Sequence, residues 1–349
     1  MDQPIKIAIV GAGGVSDSHV DGWKRCDDVE IIAVIDVDEA QAKSKVEKWE
    51  IKANVFQTIE ALVEWDRPDL VDICTPEHIH KLMGLKAIEH NIPVFSEKIL
   101  AASLEDGFDM VTAARETGIW TAINYNYHYF PCFSILKQIV KKGENGTAQE
   151  MYVQTHSFCF HHVLETLIWI FGMPATVYAE DTNRDWPEFL VDQFKIAENL
   201  VYIPNNSFSV KMEFKSGLTI HVNASMQQSL NSLPFSYFCL FDSGKVLHTT
   251  ELDWENDMIG KVHWLPNGEN LVKREDFTVT SNTLGFRASV HQVSKHFINK
   301  QQAPSTWDDG WNVMVVDHAI YISGLQKTKI NVLEIKKHLE NTLGESAHE

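Results

Sequence analysis

Residues 5–16 read IKIAIVGAGGVS. A short apolar run of strand length ends in closely spaced glycines and gives way to a helical pattern from Ser16. Glycine at 11 permits a tight strand-to-helix turn. Glycine at 13 lets a pyrophosphate approach the main chain at the helix N-terminus, where free N–H groups and the helix dipole favour anions. Gly14 and Val15 complete the turn, and Ser16 occupies the third small position, where glycine or alanine is more usual. The next apolar run, VEIIAVID (29–36), ends in Asp36, 23 positions beyond Gly13. A carboxylate at that spacing accepts from the adenosine ribose hydroxyls and repels a 2′-phosphate, so the pattern favours NAD over NADP.

The same punctuation continues outward. Strand-length runs DLVDICT (69–75), IPVFSEK (92–98) and IWTAIN (119–124) alternate with helix-length segments AQAKSKVEKWE (40–50), HIHKLMGLKAIEH (78–90) and SLEDGFDMVTAARETG (103–118). The last of these helices has serine at its start and glycine at its stop. Continuous apolar strands separated by helices imply a parallel sheet covered on both faces. Beyond about residue 123 the period changes, and SFSVKMEFKSGLTIHVNAS (207–225) reads as a hairpin turning at Ser216-Gly217. The expected partition is therefore a dinucleotide-binding domain over 1–123 and an α/β domain with an open, mostly antiparallel sheet over 124–349.

Composition bounds the function. The 349 residues are 44% hydrophobic and 22% charged, a globular balance. A formal net charge of −18 without a basic run argues against nucleic acid or an anionic membrane surface as partner. The five scattered cysteines form no CxxC and suggest neither a disulfide framework nor a zinc site, so a reducing cytosol is expected. No signal peptide or membrane span is expected either.

Together with the glycine turn, Thr75-Pro76-Glu77-His78-Ile79-His80 and Glu97-Lys98 make the chain resemble the Gfo/Idh/MocA oxidoreductases, which join GxGxxG, (T/S)PxxxH and EKP segments in this order. INYNYHYFP (123–131), HHVLETLIWIFGMP (161–174) and the terminal WDDGWNVMVVDHAIYISGLQKTKINV (307–332) extend the similarity over nearly the whole chain. The resemblance implies a Rossmann domain followed by an open-sheet domain, with a sugar, sugar derivative or cyclitol lying against the nicotinamide. It places the cofactor on Gly11, Gly13, Gly14, Val15, Asp36, Thr75, Pro76, His80, Glu97 and Lys98. Ile99 departs from the proline of EKP.

Oxidising a secondary alcohol requires a hydride acceptor and a group that takes the hydroxyl proton. A lysine at a strand end is by default a solvated charge, but the resemblance brings Lys98 to the reacting oxygen. It likewise assigns His162 as general base. Glu165, three residues on and on the same helix face, would orient its imidazole; His161 points elsewhere. Tyr125, Asn126 and His128 are candidate substrate contacts, and buried aromatics are an equal alternative for that segment. Phe158 stands where the family usually has an aspartate, so Lys98 and His162 suffice, or His156 or Glu165 substitutes, or the chemistry is altered.

A metal held by His156, His161, His162 and Glu165 is a weaker reading, because the spacing is not HExxH. Among the tryptophans, Trp186, Trp254, Trp264, Trp307 and Trp311 could stack on sugar faces, though most should be core. The leading expectation is an NAD-dependent dehydrogenase. The alternatives are a redox-neutral elimination or glycoside cleavage that uses NAD transiently, or a non-catalytic NAD- or sugar-sensing regulator. An open sheet face in the second domain predicts a homodimer or homotetramer.

Overall fold

A computed structural model describes residues 4–182, 207–225, 235–253, 259–265, 275–279 and 286–346. The chain divides into two compact units, one of residues 1–126 with 285–311, the other of 127–284 with 312–349. The expected cut after 123 misses the return of 285–311 to the first unit.

The first unit is built on a six-stranded, wholly parallel sheet in the order β3-β2-β1-β4-β5-β6. Its strands are β1 Ile5–Val10, β2 Val29–Ile35, β3 Asn54–Phe56, β4 Leu70–Ile73, β5 Val94–Ser96 and β6 Thr121–Ile123. Five of the six follow the apolar runs; β3, with only three residues, is too short to announce itself by pattern. The crossover helices are α1 Ser16–Trp23, α2 Glu39–Trp49, α3 Ile59–Trp65, α4 Glu77–Glu89 and α5 Leu104–Thr117. Helix α5 is bounded as the sequence suggests. Ser103 Oγ accepts from the Asp106 N–H, and Gly118 takes φ 67° past the last turn.

Strand order reverses between β1 and β4, and ligands of open parallel sheets bind beyond the carboxyl ends at such a switch point. Val10 pairs with both Ile35 and Ile73, so the segments after β1, β2 and β4 emerge side by side. Helix α8, Phe286–Ile298, packs on α1 where a Cβ at Gly22 would fall 2.8 Å from Val290 Cβ. The Ile123 N–H donates to Ser305 O, and Trp307 Nε1 donates to Ser96 Oγ at 3.0 Å. These tertiary bonds tie the return segment to the first sheet, and Trp307 is core rather than a sugar platform.

The second unit carries a nine-stranded sheet, ordered β14-β13-β12-β11-β7-β10-β9-β8-β15. The strands are β7 Ala148–His156, β8 Thr176–Thr182, β9 Phe208–Glu213, β10 Thr219–Ser225, β11 Phe235–Phe241, β12 Val246–Asp253, β13 Ile259–Leu265, β14 Glu275–Val279 and β15 Ile330–Asn331. Only β7 and β10 run parallel among the described pairings. β9 and β10 form the expected hairpin. The helices are α6 Pro131–Lys142, α7 Phe160–Phe171, the larger part of α9 Trp307–Gln326, and α10 Val332–Ser346.

Strand β11 shows how the two sheet faces differ. Phe235, Tyr237, Cys239 and Phe241 are buried. Phe235 stacks on Phe133 of α6 at 4.5 Å, and the Tyr237 hydroxyl donates to Cys132 O. The alternate positions Phe238 and Leu240 face outward and are exposed, as is Tyr152 on β7.

Candidate functional site

Gly11 has φ +98°, and a Cβ there would lie 2.9 Å from the main chain of Cys74 and Thr75. Only glycine lets β1 turn this close to the end of β4. Gly13 and Gly14 differ, since a Cβ on either meets nothing within 4 Å. The open space that a pyrophosphate needs therefore lies over them, at the N-terminus of α1.

The turn is braced from behind by α2. Gln41 Nε2 donates to Ala12 O at 2.8 Å, while Ser16 Oγ and Lys45 Nζ donate to Gly13 O at 2.7 and 3.1 Å. In a trans peptide the N–H points opposite to its carbonyl. Anchoring these two carbonyls thus turns the Gly13 and Gly14 N–H groups the other way. Lys45, Lys48 and Trp49 also converge on Asp17. Burial nudges that carboxyl upward, but the three donors outweigh it and hold it well below the usual carboxylate range. Asp36 lies at the end of β2 and accepts from Ala12 N–H at 2.7 Å and Asp38 N–H at 2.9 Å. It secures the glycine turn as well as offering a carboxylate to a ribose.

Thr75, after β4, holds a buried Oγ1 with no hydrogen-bond partner among the described residues. A buried hydroxyl left in this way costs free energy unless a ligand satisfies it. The open glycines, the anchored carbonyls, Asp36 and the Thr75 hydroxyl together fit a dinucleotide.

His80 and Glu97, expected among the cofactor contacts, are placed otherwise. His80 is fully buried. Its Nδ1 lies 2.8 Å from Ile99 O, and its Nε2 2.9 Å from Thr75 O, so the ring bridges the TPxxxH and EK segments through their main chains. Glu97 is buried with its carboxylate turned inward to His19 and Asn124. Half-buried Lys98 follows it, and its N–H donates back to Glu97 Oε2 at 3.3 Å. The Lys98–Ile99 peptide is cis.

Pattern reading overlooked Gln41, Lys45, His19 and Asp72. Asp72 was the available signal, since an acid inside a strand buried on both faces demands a cationic or donor partner.

Tyr125 and Asn126 are buried at the end of the first unit's leading segment. In the second unit, His128 Nε2 lies 2.6 Å from Glu165 Oε2, and its ring stacks on Trp169 at 4.0 Å. Lys137 Nζ sits 3.4 Å from the same indole centroid. The structure thus gives Glu165 a partner in His128, a residue other than the His162 that the sequence suggested. The reason is that the preceding 3-10 turn, Asn126–Tyr129, brings His128 against α7.

His162 is buried and stacks on Tyr127, centroids 4.5 Å apart and planes 11° apart. His161 faces Asp317 of α9 with Nε2 at 3.7 Å from Oδ2. Adjacent histidines therefore serve different surfaces, as the helical rotation requires. The side chains of Phe158 and Trp264, and residues Trp186 and Trp254, lie outside what the structure describes.

The profile described as "Oxidoreductase family, NAD-binding Rossmann fold" (GFO_IDH_MocA) matches residues 5–125. D-glucoside 3-dehydrogenase of Escherichia coli is 24% identical, over 94% of this chain and 98% of its own length. Inositol 2-dehydrogenase of an Arthrobacter species is 33% identical over 42% of this chain and 44% of its own. In three dimensions, an oxidoreductase from Agrobacterium radiobacter, crystallised with NAD+, L-tartaric acid and magnesium, superposes with TM-score 0.78. It is 16% identical and spans 95% of this chain and 100% of that one.

Proposed function

We propose that this chain, whose residues 5–125 match the NAD-binding Rossmann model of the family, is a Gfo/Idh/MocA oxidoreductase that transfers a hydride between NAD and a secondary alcohol of a sugar, a sugar derivative or a cyclitol. The observation that carries this reading is the carboxyl edge of the first sheet, where an open glycine turn, Asp36 and the Glu97-Lys98 segment come together. The full-length similarity to a glucoside dehydrogenase and the partial similarity to an inositol dehydrogenase support the substrate class.

When bound, NAD supplies the carbon that accepts the hydride. The turn N–H groups and α1 hold its pyrophosphate, and Asp36 accepts from the adenosine ribose and disfavours a 2′-phosphate. Lys98 donates to the reacting oxygen and relays its proton. His162, held flat against Tyr127, is the general base, and the His128–Glu165 pair recognises substrate hydroxyls. A carboxylate beside the imidazole fixes which ring nitrogen carries the proton, which suits His128 to a binding role.

We further infer that the protein is a homodimer or homotetramer that covers the outer sheet face. There, His248, Phe238, Tyr152 and His221 lie in one row across β12, β11, β7 and β10, with stacks of 3.9 Å and 4.9 Å. The five cysteines are buried thiols outside any disulfide, which suits a reducing cytosol. No helix among the described residues is long and apolar enough to cross a membrane.

The test is reduced-nicotinamide absorbance with NAD or NADP and a panel of inositols, aldoses, amino sugars and glycosides, run beside product analysis. Absorbance rising with NAD and one polyol supports the reading. Product without net NADH points instead to the redox-neutral chemistry, and NAD binding without any product points to a regulator.

A further inference from the structure

We propose that His19 is a positioning residue: an imidazolium held between Asp72 and Glu97, it fastens the Glu97-Lys98 segment to helix α1 and couples the cofactor's anion site to the lysine. The proposal takes the role of Lys98 from the reading above and adds the device that places it.

His19 stands in the first turn of α1, the helix whose N-terminus follows the glycine turn. It is fully buried. Its Nδ1 lies 2.9 Å from Asp72 Oδ2 and its Nε2 2.8 Å from Glu97 Oε1. Ionised carboxylates only accept, so an imidazole facing one on each side satisfies both only when both its nitrogens carry protons. Two buried carboxylates with no cation between them would also be costly.

Burial works against the imidazolium, but the charge and hydrogen bonding of Asp72 and the neighbouring Cys74 outweigh it and hold the ring's pKa well above its ordinary value. Burial likewise pushes Glu97 up. The hydrogen bond and charge of His19, then the charge of Lys98, then Asn124 reverse this, and Glu97 lies below its usual range.

The remaining neighbours close the arrangement. Trp23 Nε1 donates to Asp72 Oδ2 at 2.6 Å, and His19 stacks on Phe95 at 5.4 Å. Asn124 Nδ2 donates to Glu97 Oε1, and Ser289 of α8 donates to Asn124 Oδ1, orienting that amide. One oxygen of Glu97 is thereby tied to α1 and to Asn124, the residue after β6, while the other accepts the Lys98 N–H. His19, Asp72 and Cys74 place one ligand atom each within 4.8 Å of one another. With a carboxylate against each ring nitrogen, a shared proton set explains the cluster, and a metal is a distinct outcome of the test.

The charges predict the direction of the effect. Replacing His19 by glutamine leaves Glu97 uncompensated beside Lys98, which favours the ammonium. His19→Gln/Glu97→Gln removes both charges and restores the field.

Two measurements, neither needing a substrate, test this on the whole protein. In histidine-labelled protein, the ring resonance lost in His19→Gln should stay at imidazolium shifts from pH 6 to 9. Pulsed acetic anhydride labelling of Lys98, read by mass spectrometry, should have a midpoint about one pH unit higher in His19→Gln and return to the wild-type value in the double variant. A His19 resonance titrating near pH 6.5, stoichiometric metal in the purified protein, or an unchanged labelling midpoint in folded His19→Gln would each overturn the proposal. Should His19→Gln fail to fold, the same resonance is identified in the wild-type protein by its nuclear Overhauser contacts to the Phe95 ring, and its shift decides the matter. Absence of dehydrogenase turnover leaves both readouts intact and bears only on the function proposed above.

Discussion

Gly11→Ala and Gly13→Ala, two residues apart in one turn, should fail in opposite ways. At Gly11 the new methyl meets φ +98° and three main-chain atoms at 2.9 Å. Positive φ costs an L-residue roughly 1–2 kcal/mol. Overpacking against atoms that cannot rotate away costs about 1–3 kcal/mol more. The sum, about 2–5 kcal/mol, is a large share of a typical stability of roughly 5–15 kcal/mol. At Gly13 the methyl meets nothing within 4 Å, so stability should change by less than about 0.5 kcal/mol. That methyl fills the space assigned to the pyrophosphate, and NADH affinity should fall at least about 100-fold, or about 2.7 kcal/mol. Urea unfolding followed by tryptophan fluorescence measures the first effect, and NADH fluorescence titration the second. Wild-type stability in Gly11→Ala refutes the close-approach argument. Wild-type NADH affinity in Gly13→Ala refutes the location of the cofactor.

Lys98→Ala should lower kcat by about 100-fold or more while NADH affinity stays within about 3-fold, measured by turnover and titration; retained turnover sinks its catalytic role. Asp36→Asn should lose discrimination against NADP and also about 1–2 kcal/mol of stability, because the carboxylate accepts from the Ala12 and Asp38 N–H groups. In the second unit, hydrogen bonds from Lys329, Lys211 and Thr176 draw Glu213 down to about 2. A depressed carboxylate stabilises above its unfolded value near 4.5 and loses that contribution as pH falls toward 2. Glu213→Gln should therefore flatten the acid limb of thermal stability over that window, and an unchanged limb would count against the pairing. Tyr152→Glu with Phe238→Glu should give a monomer in sedimentation analysis; an oligomer of unchanged mass places the interface elsewhere.

Local pattern carried a large part of the fold. Five strands of the first sheet, the caps of α5, the glycine turn and the hairpin at Ser216-Gly217 follow from residues near one another in sequence. The three-residue β3 and the return of α8 do not, because their places depend on contacts with distant segments. Val290 meeting Gly22 is an event between residues far apart in the chain.

The candidate site divides along the same line. The places of Gly11 and Gly13 in the turn, and of Asp36 and Lys98 just past strand ends, were legible, since a turn conformation, a spacing and a strand end are properties of short segments. His80, Glu97 and Glu165 were recognised as significant, but their partners were not. Each side chain acts on a group that only folding brings near: main-chain carbonyls for His80, His19 for Glu97, and His128 for Glu165. One dimension thus records conformational and periodic preferences of neighbouring residues. Which buried charge meets which counter-charge is a fact of three dimensions, because the free energy of a buried polar group depends on who stands beside it and not on where it sits in the chain.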